Sequence, residues 1–244
     1  MIKIGILPTT HINENNNPYD DTYSFSNIVI KRIFESNAMP IGILLNDGEL
    51  NLESLNMCDA FIIPGGKKIE PYYLETINYA IKNNKPLLGI CLGMQSIALY
   101  SYLEDLLVEN NINLSINNIK DMYNNIKEQG IQFLTPIQNH YNEKITRNNY
   151  DTNKHTIKIF NKSKLYEIYK QNILDVISLH KYAINKYGKK IIINSMHENT
   201  IEGLEYNDNN LFILGVGWHP ELEENNNILF KTLVDEAVKR KNEI

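Results

Sequence analysis

Short apolar runs alternate with amphipathic stretches along most of the chain. Ile2–Leu7 is apolar apart from Lys3 and stops at Pro8, which reads as a buried strand. The polar segment 9–24 reads as a loop, and the apolar positions from Phe25 to Phe34 recur with a helical period. The order then repeats, with strands predicted at Pro40–Leu45, at Ala60–Ile63 ahead of Pro64-Gly65-Gly66 and at Pro86–Ile90, and a helix at Tyr72–Lys82. From Leu92 the pattern is helical as far as Leu107, and the Asn-rich stretch from Glu109 to Gln129 keeps helical periodicity without strong caps. Thr156–Phe160, Val176–Leu179 and Lys190–Asn194 read as strands, Thr200–Tyr206 and Leu211–Val216 as a hairpin, and Asn227–Val238 as a helix. Alternating elements with short, wholly apolar strands imply an α/β fold, a mostly parallel sheet covered by helices on both faces.

Composition narrows the picture. A chain of 244 residues that is 43% hydrophobic can bury one sizeable core, so a single domain over residues 1–244 is expected. The net charge of −5, with lysines scattered among acidic residues, argues against nucleic acid as a partner. No apolar run approaches the roughly 18 to 20 residues that span a bilayer, and Ile2–Leu7 is too short for a signal-peptide core, so a cytoplasmic protein away from membranes is expected. Cys58 and Cys91 are too few for a disulfide scaffold, and the six histidines show no metal-ligand spacing with them. Reduced thiols, no metal and no cofactor are the expectation. The runs Asn15–Asn17 and Asn225–Asn227 read as solvated turns.

Lys85 to Gln95 carries the strongest chemical signal, an apolar strand entering Gly89-Ile90-Cys91-Leu92-Gly93 and continuing as a helix. A nucleophile at such an elbow sits on a strained turn at the end of the sheet, and the flanking glycines let strand and helix pack closely. The helix N-terminus behind it favours a thiolate. Taken alone, Cys91 is as consistent with a packing residue; Cys58, without glycines around it, reads as one. Far downstream, Trp218-His219-Pro220-Glu221 sets a base and a carboxylate either side of a proline. The proline keeps the chain extended, so His219 and Glu221 tend to face the same side. Cys91, His219 and Glu221 therefore make a candidate nucleophile, base and orienter.

These blocks resemble the signatures of class I glutamine amidotransferase-like domains and, within them, the γ-glutamyl-γ-aminobutyrate hydrolase family of cysteine hydrolases. Pro64-Gly65-Gly66-Lys67-Lys68-Ile69-Glu70-Pro71-Tyr72-Tyr73 is similar to that family's P-G-G-x-D-x-x-P-x-x-Y, Ser178-Leu179-His180 to its S-x-H block, and Ile201-Glu202-Gly203 to its I/V-E-A element. The resemblance implies a single flavodoxin-like three-layer domain and cleavage of a γ-glutamyl amide through a thioester on Cys91. It places the oxyanion against the backbone N–H groups of Gly66 and Leu92, and substrate near Gln95, Ser178 and His180. His155 aligns with a family histidine before a strand and reads, like His11, His140 and His197, as structural. Departures fall on the specificity side: Leu92 stands where Arg is common, Lys68 where Asp is, Gly217 where Gln is, and Lys181-Tyr182 where a second His and Gln often follow. A G-G-T-L block usual after the elbow helix is absent. A free-standing hydrolase in polyamine breakdown or similar nitrogen salvage leads the readings, because few residues follow Glu221 and no fused acceptor domain is expected. A glutaminase subunit serving a separate synthetase, and a non-catalytic γ-glutamyl-binding protein, are the alternatives. A small γ-glutamyl compound is the expected ligand, and a homodimer or that synthetase the macromolecular partner left open.

Overall fold

The computed structural model describes residues 1–11, 21–137, 140, 146, 148–223 and 227–243. The first half alternates as the pattern predicts. Strand β1 (Lys3–Ile6) is followed by a small hairpin, β2 (Thr9–His11) and β3 (Thr22–Ser24), inside the segment expected to be loop. Helix α1 (Asn27–Glu35) buries Val29, Arg32 and Ile33, the i, i+3, i+4 stripe that sets its inward face. The run predicted as one strand to Leu45 ends early: β4 (Met39–Gly42) joins the main sheet, whereas Leu45–Asn46 (β5) pairs with Glu49–Leu50 (β6) in a separate hairpin. A short α2 (Leu52–Asn56), capped by the Asn51 side chain, leads into β7 (Ala60–Ile63), which falls where predicted. Helix α3 (Pro71–Lys82) starts with proline at a position that needs no N–H. Strand β8 (Leu87–Ile90) then passes through Cys91 into α4 (Leu92–Glu109).

The Asn-rich stretch is helical only from Ile116 to Glu128 (α5), where the Ser115 side chain accepts from Asn118 N. The chain leaves α1, α3 and α4 through Asn37, Asn84 and Asn111, all at positive φ, a conformation asparagine tolerates. In the second half come β9 (Leu134–Pro136), β10 (Lys154–Ile159), α6 (Lys164–Tyr169), β11 (Ile173–Ile177), β12 (Tyr182–Ile184), β13 (Ile191–His197), β14 (Thr200–Tyr206), β15 (Ile213–Val216) and α7 (Ile228–Asn242). Of the two asparagine runs, Asn15–Asn17 lies outside the described residues. Asn227 is more than a solvated turn: its side-chain amide donates to Arg32 O and Ser36 Oγ, tying the start of α7 to α1.

Among the described residues, nine strands form one sheet in the order β11-β10-β13-β14-β15-β8-β7-β1-β4. From β15 to β4 all pairings are parallel; from β15 outward to β11 all are antiparallel. One core cluster joins α3, α4 and α5 to the sheet through residues such as Tyr72, Ile77, Ile97 and Tyr123, and a second joins α1, α6 and α7 through Ile33, Leu165 and Phe230. That is the three-layer α/β architecture expected of the alternation. β8 lies inside the parallel half between β15 and β7, so its carboxyl end opens between covered faces where ligands of such sheets bind. No helix among the described residues is long and apolar enough to cross a membrane.

Candidate functional site

Cys91 ends β8 with φ 51° and ψ −101°, a strained conformation for a side chain with a Cβ, costing on the order of 1–3 kcal/mol. The neighbouring glycines make the turn feasible. A Cβ on Gly93 would stand 2.2 Å from Ile63 O, and one on Gly89 would stand 2.5 Å from the Gly93 carbonyl carbon, so only glycines let α4 cross the sheet so closely. Cys91 N donates to Val216 O at 2.7 Å, fixing the elbow to β15. The thiol therefore stands at the sheet's carboxyl edge beside the unpaired N–H groups of the α4 N-terminus.

β15 delivers the second half of the site. His219 N donates to Ile177 O at 2.9 Å, and beyond it Pro220–Leu222 forms one 3-10 turn that places Glu221 under the ring. Glu221 Oε1 lies 2.7 Å from His219 Nδ1, which turns Nε2 toward Cys91. Burial by itself would lower the imidazole's pKa; the Glu221 carboxylate and the hydrogen bonds with Cys91 and Glu221 outweigh it and hold His219 well above its ordinary value. The structure thus brings together the three residues singled out in sequence.

Two supports escaped the sequence reading. Arg32, 1% exposed, reaches from α1 and donates from Nε to Glu221 O at 2.9 Å while its guanidinium pairs with Glu35. Gly65 is where the imidazole packs: a Cβ there would be 2.8 Å from His219 Cε1. A charge on the buried stripe of α1 was the available signal for the first, whereas nothing local marks the second.

A cavity of about 710 Å³ opens over Cys91, walled by Gly66, Lys67, Leu92, Gln95, Leu179, His180, Lys181 and Tyr182 among others. Gly66 and Leu92 stand side by side, since a Cβ on Gly66 would touch Leu92 Cδ2 at 2.8 Å. Gln95 lines the cavity but spends one amide N–H on Tyr182 O at 3.2 Å. His180 lines it too, although both ring nitrogens are engaged, Nδ1 with Tyr182 O and Nε2 with Glu202 Oε1, each at 3.1 Å. Ser178 is not on the cavity wall: it is 1% exposed, turned into the interior just past β11 with its N–H on Asn153 O. A second cavity of about 670 Å³ meets the first at Gly66 and Lys67 and is lined by Thr10, Lys68, Tyr72 and Lys120.

The peptidase C26 family profile matches residues 72–221, more than half of the chain and the whole span from α3 to Glu221. The chain belongs to the peptidase C26 family. This member is 25% identical to a glutamine amidotransferase-like protein of Rickettsia prowazekii over 95% of its own length and 96% of that protein's. It is 26% identical to the CTP synthase of Methanosphaera stadtmanae and 30% to that of Clostridium beijerinckii, over 80% and 75% of this chain but only 37% and 34% of those enzymes. The chain thus spans about a third of the length of the CTP synthases it matches. In solved structures, the glutaminase domain of Trypanosoma brucei CTP synthase with bound acivicin superposes with a TM-score of 0.63 at 16% identity, covering 98% of this chain and 94% of that one. A Thermoplasma acidophilum protein described as a GMP synthase component superposes with a TM-score of 0.61 at 14% identity, covering 99% and 96%. At these identities the likeness is one of fold, and it is the glutamine amidotransferase-like fold.

Proposed function

We propose that this peptidase C26 member is a cysteine hydrolase that cleaves the γ-glutamyl amide bond of a small γ-glutamyl amine, as its resemblance to γ-glutamyl-γ-aminobutyrate hydrolases implies. The observation that carries the reading is a strained cysteine at the mouth of a cavity, beside an imidazole that a buried carboxylate orients. In the proposed reaction the Cys91 thiolate adds to the γ-carbonyl carbon, and the oxyanion is held by the N–H groups of Gly66 and Leu92. His219, kept protonated by Glu221, gives its proton to the departing amine, then takes one from the water that resolves the thioester to glutamate. Lys67 and Lys181 on the cavity wall complement the α-carboxylate of a γ-glutamyl group.

The second cavity supports an amine larger than ammonia as the leaving half. It meets the first at Gly66, beside the proposed oxyanion donors, and its wall mixes hydroxyls with Lys68 and Lys120. The CTP synthase relatives favour a second reading, a glutaminase that passes ammonia to a synthetase. One assay separates them: purified chain is given γ-glutamyl-γ-aminobutyrate, other γ-glutamyl amines and glutamine, and glutamate and amine release are followed. The hydrolase reading expects preferred release from a γ-glutamyl amine without a partner. Slow cleavage of glutamine alone would move the assignment to the glutaminase, and no cleavage of any of them would remove both.

A further inference from the structure

Behind His180 the sheet carries a second assembly of imidazoles and carboxylate that the proposed reaction does not use. Glu202, on β14, is wholly buried. Its Oε1 is faced by Nε2 of His180 at 3.1 Å, of His140 at 3.3 Å and of His155 at 3.4 Å. His197 stacks on His155 with ring centroids 4.2 Å apart and planes 17° from parallel. His140, His180 and Glu202 offer ligand atoms all within 4.8 Å of one another, as do His140, His155 and His197. The expectation of no metal rested on spacing along the chain, and spacing does not register histidines that arrive from four separate segments.

Three features mark a ligand set. Adjacent ligands on a tetrahedral ion with bonds of about 2.0–2.1 Å stand roughly 3.3 Å apart, the separation found here around Glu202 Oε1. Next, His180 Nδ1 lies 3.1 Å from the carbonyl of Tyr182. A carbonyl only accepts, so His180 Nδ1 carries the proton and Nε2 is turned toward Glu202, the orientation that outer hydrogen bonds impose on metal-binding histidines. The third is unused capacity: one carboxylate oxygen offers about two lone-pair sites to three imidazoles. Meanwhile Glu202 Oε2 is buried without a hydrogen-bond partner. A cation among His140, His180 and Glu202 takes up the spare lone pairs of this carboxylate.

We propose that His140, His180 and Glu202 bind one zinc-class divalent ion, with His155 beside it. Two neutral imidazoles and a carboxylate, with a fourth position for water, suit zinc or cobalt(II), and no thiolate is needed. The ion would join His140, β14 and the segment after β11 that carries Leu179, His180, Lys181 and Tyr182, so it would pin one wall of the cavity over Cys91. The link to the base is short, because Gly217 N donates to Glu202 O at 2.7 Å two residues before His219. The role is structural and holds whichever amide is cleaved.

The test uses the full chain as wild type and as Cys91→Ser, which removes the thiol beside His219 as a competing ligand. After chelator treatment, titration with cobalt(II) should load one ion per chain in both, with the visible absorption of tetrahedral coordination and no thiolate charge-transfer band, and zinc should displace it. His140→Ala and Glu202→Gln should each weaken binding by about 10- to 100-fold or more. Zinc should raise the melting temperature of Cys91→Ser but of neither variant. Where a substitution prevents folding, the Cys91→Ser titration decides alone. Failure of wild type and Cys91→Ser to bind, binding that survives both substitutions, or loss confined to Cys91→Ser would overturn the proposal.

Discussion

Cys58 and Cys91 are both buried thiols in apolar surroundings, and almost nothing else about them agrees. Cys58 follows the last turn of α2, its Sγ directed at Ser54 O and packed against Phe61 and Gly5. Burial pushes its pKa up to about 11, with Lys85 opposing, so the thiol stays protonated and inert at neutral pH. Cys91 is 8% exposed, held at positive φ at the cavity mouth, with the His219 imidazole beside it. Burial therefore does not decide the fate of a thiol in this fold. The backbone turn that aims it and the base that meets it do.

The comparison breaks first at activity. Cys91→Ala is expected to lower kcat/KM on the preferred γ-glutamyl amide by about 10⁴-fold or more, while Cys58→Ala leaves it unchanged, measured as amine release by purified proteins. Next in size, Glu221→Gln is expected to cost about 10²- to 10⁴-fold in kcat, because the imidazole loses its orienter and the charge that favours its protonated form. The same variant yields a pH signature. His219 has a raised folded-state pKa, so the stability its pairing contributes is full below 6.5 and is lost as pH rises through the raised value. The urea-unfolding gap between wild type and Glu221→Gln should accordingly be widest below pH 6.5 and close on the alkaline side. Gly93→Ala should destabilise by about 1–3 kcal/mol, as the added methyl meets Ile63 O at 2.2 Å, with a matching drop in denaturation midpoint. The smallest effect is that of Cys58→Ala, about 0.5–1.5 kcal/mol from a one-atom cavity in a filled core, read from the same unfolding curves.

Legibility in the sequence followed range. Most of the parallel half was readable because its strands are apolar runs, Lys3 apart, bounded by proline, glycine or a helix start; β7 falls where predicted, and β8 and α4 within a residue or two. The small hairpins β2–β3 and β5–β6 were missed because two- and three-residue strands with mixed burial carry no periodic signal. Cys91 and the His219–Glu221 pair were legible because glycine and proline fix their geometry within a few residues. Arg32, Gly65 and the Glu202 cluster were not, since each acts through the packing of segments distant in sequence. Ser178 was chosen from a motif, and only the tertiary fold shows its side chain turned away from the cavity.

The most direct test of the central claim is to mix the protein with its preferred γ-glutamyl amide, quench in acid and map the peptides by mass spectrometry. The account predicts a γ-glutamyl group on the peptide carrying Cys91 and none on the peptide carrying Cys58, accumulating further when Glu221→Gln slows turnover. An unmodified Cys91 while amine is being released, or a label that survives Cys91→Ala, would contradict it.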